Sequence, residues 1–164
     1  MTNYLRDEDM ELYALLGLMV RAAADLELRL QLIAVRLSES SYAHLWVHGA
    51  AASAATKLIK DLAKANPNVT DEESADLVPL LSRVGPLLER RHGYVHGAWS
   101  VDQSNPAEPS YLAMRYTKGQ ESPRFDPISK DHLGDLTTKL SDLTSELMGW
   151  FARYLRKWQQ SDGT

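Results

Sequence analysis

Eight apolar residues near the N-terminus are spaced so regularly that they leave one conformation open. Leu12, Leu16, Met19, Ala23, Leu26, Leu30, Ile33 and Leu37 step by alternating fours and threes. That is one face of an α-helix held over seven intervals, and it predicts a helix over Asp7–Leu37. Asp7, Glu8, Asp9 and Glu11 crowd its start, where negative charge suits the helix dipole. Tyr13, Val20 and Ala34 widen the stripe, and Glu27 falls within that widening. A matching stripe closes the chain: Leu133, Leu136, Leu140, Leu143, Leu147, Trp150, Tyr154 and Trp158. Two long amphipathic helices need other helices to cover them, so a bundle is the economical solution.

The middle of the chain supplies those helices. A second is expected from about Ser41 to Ala65, with Leu45, His48, Ala52, Ala55, Ile59 and Leu62 on one face, ended by Asn66-Pro67-Asn68. Thr70-Asp71-Glu72-Glu73 reads as a capping box opening a third. Its stripe is Leu77, Leu81, Val84, Leu88, Arg91, Val95 and Ala98. Pro79 and the Gly85-Pro86 pair interrupt that stripe, so a kink or a split is expected near residue 85, with Gly97 as the stop. Val101–Pro127 is rich in turn signals, and Tyr111–Tyr116 reads as a short strand pairing with residues near Arg124–Phe125. Ser129 caps the last helix, with Ile128 and Leu133 placed for a hydrophobic staple. The expected fold is all-α: one domain over residues 1–164, an up-and-down bundle of four main helices with a small β excursion before the last.

Composition narrows the function classes. The 164 residues include no cysteine, which leaves no disulfide framework or thiolate metal site. No apolar run is long enough to span a membrane, and the acidic, polar N-terminus does not read as a signal peptide, so a cytoplasmic protein is expected. Net charge is −4, which offers no global attraction to nucleic acid. The one stretch with a positive balance is residues 83–124, with 6 Lys/Arg against 4 Asp/Glu.

That stretch contains Glu89–Ser100, ERRHGYVHGAWS. Arg91 falls on the apolar stripe of its helix, where an unpartnered arginine is costly. Arginine offers a rigid fork of donors that fits a phosphate, and histidine takes and returns protons near neutral pH. Arg91, His92 and His96 therefore suit cleavage of an RNA phosphodiester. A base takes the proton of the ribose 2′-hydroxyl, the oxygen attacks phosphorus, an acid protonates the leaving oxygen, and a cation steadies the added charge. On an ideal helix Arg91 and His96 point about 140° apart. Either Gly93 and Gly97 disturb the helix, or two chains complete one site across a two-fold axis.

Arg91-His92-Gly93-Tyr94-Val95-His96 resembles the motif of the HEPN superfamily (higher eukaryotes and prokaryotes nucleotide-binding domains). That motif is an arginine, a polar residue directly after it, and a histidine after four to six intervening residues. Here the polar residue is His92, where Asn or Asp is more common in the family, and four residues intervene. The resemblance takes in the whole chain as a helical bundle with the motif on its third long helix. It implies a homodimer with the two motifs in one cleft, and a metal-independent ribonuclease without cofactor. Such proteins often act in toxin–antitoxin or phage-defence systems, with a cognate antitoxin or other partner protein. By resemblance, Arg91 holds the scissile phosphate, His96 is the acid/base, and His92 orients the arginine or the phosphate. Around them Arg90, Tyr94, Trp99, Arg115 and Arg124 are candidate RNA contacts, and Glu27 a supporting carboxylate. The resemblance equally allows a catalytically silent interaction module that binds a protein or nucleotide partner. Two rival readings come from the residues themselves. In the first, Arg91 is neutralised by a buried carboxylate such as Glu27. Alternatively, His92 and His96, with His44 and His48, make a four-histidine metal site, although HGYVH lacks the glutamate of a metalloprotease helix.

Overall fold

The structure is a computed structural model that describes residues 7–102, 110–116 and 119–161. The described residues form five helices and one three-stranded antiparallel sheet, an all-α bundle in the main with the sheet placed before the last helix. The helices are α1 (Asp7–Leu37), α2 (His44–Val47), α3 (Ala52–Ala65), α4 (Asp71–His96) and α5 (Lys130–Ser161). The strands are β1 (Ala98–Asp102), β2 (Ser110–Arg115) and β3 (Arg124–Ile128). Contacts divide the chain into two compact units: residues 1–23 with 87–139, and residues 24–86 with 140–164.

The first unit holds the sheet. β1, β2 and β3 pair in chain order, with Ala98 opposite Met114 and Arg115 opposite Arg124. The expected pairing of Tyr111–Tyr116 with Arg124–Phe125 is therefore present. β1 is an addition to the expected fold: Ala98, which fits the period of the third helix's stripe, instead opens a strand just past the stop at Gly97. Ala113 at the centre of the sheet is fully buried, as are Leu133 and Leu136 on α5 and Ala23 on α1. The α5 cap forms as expected, with the Ser129 hydroxyl accepting from His132 N at 3.1 Å and both staple residues, Ile128 and Leu133, buried. Glu11 on α1 forms an ion pair with Lys130 on α5.

In the second unit the stripes meet as their periods require. Leu26, Leu30 and Ile33 of α1, Ile59 of α3, Leu77 and Leu81 of α4, and Leu140, Leu143 and Leu147 of α5 are all buried. Trp150 donates its indole N–H to Glu73 O at 2.9 Å and stacks on Tyr154, with ring centroids 6.0 Å apart. The Thr70 capping box closes both ways: Thr70 N donates to Glu73 Oε2 at 2.8 Å, and Glu73 N to Thr70 Oγ1 at 3.2 Å.

One expectation about helix continuity needs correction, and another is narrowed. The second helix is two helices, broken where His48 turns extended and Gly49 takes a positive φ of 78°. Gln31 donates to the freed Ala50 carbonyl at 3.2 Å. Leu45 consequently leaves the expected core face and stands 72% exposed. The third helix, in contrast, is one piece through Pro79 and Pro86. Both prolines are exposed, so water can satisfy the carbonyls they free, while buried Leu77, Leu81 and Val84 hold the other face.

Candidate functional site

The candidate catalytic and RNA-contact residues lie on the last turns of α4 and the sheet that follows, all within the first unit, whereas Glu27, His44 and His48 do not. His92 and His96 are exposed and lie four apart on one helix face, with ring centroids 4.4 Å apart. Such a pair can pass a proton between rings or present two imidazoles to one ligand. Arg91 is half-buried. Its Nε is buried with no hydrogen-bond partner, and among the described residues no carboxylate pairs with it. Glu27 is half-buried on α1 and belongs to the second unit.

The two glycines do not disturb the helix. Gly97 N donates to Gly93 O at 3.1 Å, which carries helical hydrogen bonding past His96. Their reason is steric. A Cβ on Gly97 would stand 2.7 Å from Gly93 O and 2.9 Å from the Ala113 Cβ. A Cβ on Gly93 would meet the Arg115 guanidinium at 3.3 Å. The helix end is thus laid against β2 at a distance only glycine permits. With the helix intact, Arg91 and His96 diverge by about 140° around its axis. The groups of one chain do not share a face.

The neighbouring arginines are engaged. Arg115, only 13% exposed, sits between Asp126 at 3.4 Å and Glu89 at 3.6 Å. Arg124 donates to the other oxygen of Asp126 at 2.7 Å. Arg90 reaches Asp135 at 3.4 Å, and the carboxyl of Asp135 is held below its usual range, first by Lys139 and then by Arg90. Tyr94 is buried, and its carbonyl accepts the Trp99 indole N–H at 2.8 Å. Trp99 stacks on Tyr13, with ring centroids 5.9 Å apart and planes 7° from parallel.

Asp126 went unnoticed in the sequence, yet it joins β2, β3 and the end of α4 through two arginines. Its signal was there: Arg124 and Asp126 are two apart in a strand and so share a face. The spacing of Tyr13 shows only that it widens the α1 stripe; the strand that brings Trp99 to it has no signal in that spacing. The described residues hold no group of three or more His, Cys, Asp or Glu placed to share a metal ion. His44 and His48 have rings 6.2 Å apart in the second unit. No described helix is long and apolar enough to cross a membrane.

The class these features define is one of architecture alone: a helical bundle with a small three-stranded antiparallel sheet before its last helix. No family model matches the chain, and no curated protein or solved structure matches it significantly.

Proposed function

We propose that the chain is a metal-independent endoribonuclease of HEPN type, acting as a cytoplasmic homodimer in a toxin–antitoxin or phage-defence setting. The observation that carries this reading is Arg91: a guanidinium nitrogen held out of water with no acceptor. A phosphate oxygen is the acceptor that a guanidinium fork fits best. The exposed His92–His96 pair supplies acid and base. Because Arg91 and His96 diverge on an unbroken helix, the complete set requires Arg91 of one protomer with His96 of another. Attack of the 2′-oxygen breaks the bond from phosphorus to the 5′-oxygen. The strand ends are then a 2′,3′-cyclic phosphate and a 5′-hydroxyl.

A second reading is a catalytically silent module of the same type that binds an antitoxin or another protein. It is favoured by the neutralisation of Arg90, Arg115 and Arg124, which leaves little cationic surface for a nucleic acid.

The test is RNA cleavage in EDTA by the parent, Arg91→Ala and His96→Ala. The expected result is cyclic-phosphate products from the parent and a rate at least about 100-fold lower in each variant. A folded parent that cleaves no RNA, or variants as active as the parent, overturns the ribonuclease reading.

A further inference from the structure

His92 and His96 have a geometry that fits a second use besides acid–base chemistry. Both are exposed, four residues apart on a helix that stays hydrogen-bonded past them, where Gly97 N reaches Gly93 O at 3.1 Å. Among the described residues no hydrogen bond or ion pair engages either ring. Their nitrogens are therefore open to a ligand. His132, in contrast, has its Nδ1 3.1 Å from Pro127 O. Neutral imidazole nitrogen is a good donor for borderline divalent transition metals such as zinc, copper and nickel.

Ring spacing decides whether two imidazoles can share one ion. A metal–nitrogen bond is about 2.1 Å long, and the ring centre lies about 1.1 Å behind the nitrogen. Two rings on one ion then have centres about 4.5 Å apart at a right angle and about 5.2 Å apart at the tetrahedral angle. His92 and His96 stand at 4.4 Å, so small rotations of two exposed side chains suffice. His44 and His48 stand at 6.2 Å, which corresponds to an angle of about 150° at the ion. His48 also lies past the end of α2 on extended backbone, so that pair lacks a helical frame. The cations beside His92 and His96 are answered or turned away. Arg90 meets Asp135, and Arg115 meets Asp126 and Glu89. Arg91 leaves the helix about 100° from His92 and about 140° from His96.

We propose that His92 and His96 form a two-imidazole site for a borderline divalent transition metal ion, with zinc as the type ion. Bound there, the ion occupies the nitrogen lone pairs that proton transfer needs, so it inhibits the proposed ribonuclease. The binding stands by itself, whereas the inhibition rests on the ribonuclease reading. Magnesium and calcium, which take oxygen ligands, do not fill the site.

Titration calorimetry of Zn2+ and Ni2+ into the untagged full chain at neutral pH, with no RNA present, tests the binding. The expected result is saturable binding with a dissociation constant on the order of 10 μM. His92→Ala and His96→Ala each weaken it about ten-fold or more, and His44→Ala leaves it unchanged. All three positions are exposed, and circular dichroism confirms that each variant is folded. Nuclear magnetic resonance gives a second measure: Zn2+ shifts the ring signals of His92 and His96 before those of the other three histidines. No saturable binding overturns the proposal. So does binding that survives His92→Ala or His96→Ala, or equal binding of Mg2+. Saturating Zn2+ is expected to slow a cleaving parent about ten-fold or more. Undiminished cleavage with the site full overturns the inhibition. A parent that binds zinc and cleaves no RNA sinks the ribonuclease reading and supports the metal site.

Discussion

A donor taken out of water and given no acceptor raises the free energy of the folded state by about 1–3 kcal/mol. Arg91 Nε is such a donor. The fold keeps a cost that a methionine of similar length would remove. Arg91→Met is therefore expected to unfold at the same urea concentration as the parent or a higher one, while losing cleavage. Chemical denaturation followed by circular dichroism measures this, and a clear loss of stability assigns Arg91 a structural role instead. The contrast with Arg115 is instructive. Two arginines of one short region have opposite fates, one clamped between Asp126 and Glu89 and one left without a carboxylate. Residue type alone did not separate them. Arg91 could be singled out because it interrupts an apolar stripe. For Arg115 the expected strand pairing was legible, but the register that sets Ala113 opposite Asp126, and so brings that carboxylate beside Arg115, was not.

At the level of elements, periodicity was legible and continuity was not. α1 and α5 followed from long stripes, because burying one face of a long helix outweighs any single residue in it. The β2–β3 pairing followed from turn residues flanking an alternating run. The break between α2 and α3 was hidden because Leu45, His48 and Ala52 fit a helical period. One glycine with positive φ and an extended His48 decided otherwise. α4 went the other way, surviving two prolines because both face solvent. What joins α4 to α5 in the second unit is in part a two-pronged ion pair, Arg83 to Glu146 at 2.7 and 2.9 Å. Arg83 holds the Glu146 carboxyl below its ordinary range, and Asn68 does the same for Glu39. A carboxyl whose folded value is lowered adds stability above its unfolded value, and that stability is lost as pH falls through the lowered one. Thermal unfolding should therefore shift downward as pH drops below the ordinary glutamate range. Arg83→Gln should flatten that dependence, and an unchanged slope would show that the pair contributes nothing to it.

For the whole molecule, the decisive quantity is how many chains make one site. If Arg91 and His96 serve from different protomers, two dead variants can repair each other. In a mixed dimer of Arg91→Ala and His96→Ala, one protomer retains the arginine and the other the histidine. Co-refolding the two variants is expected to restore cleavage that neither shows alone, and continued inactivity of the mixture would place the whole site in one chain. A different consequence follows from the way the two compact units are threaded. α1, α4 and α5 each begin in one unit and finish in the other, with the changes after residues 23, 86 and 139. Neither unit is a continuous stretch of sequence. A single crossover between two related genes, wherever it falls, leaves at least one unit as a hybrid of both parents. A chain threaded in this way cannot be traded piecemeal as cassettes. Its core residues must vary in concert across segments far apart in the gene.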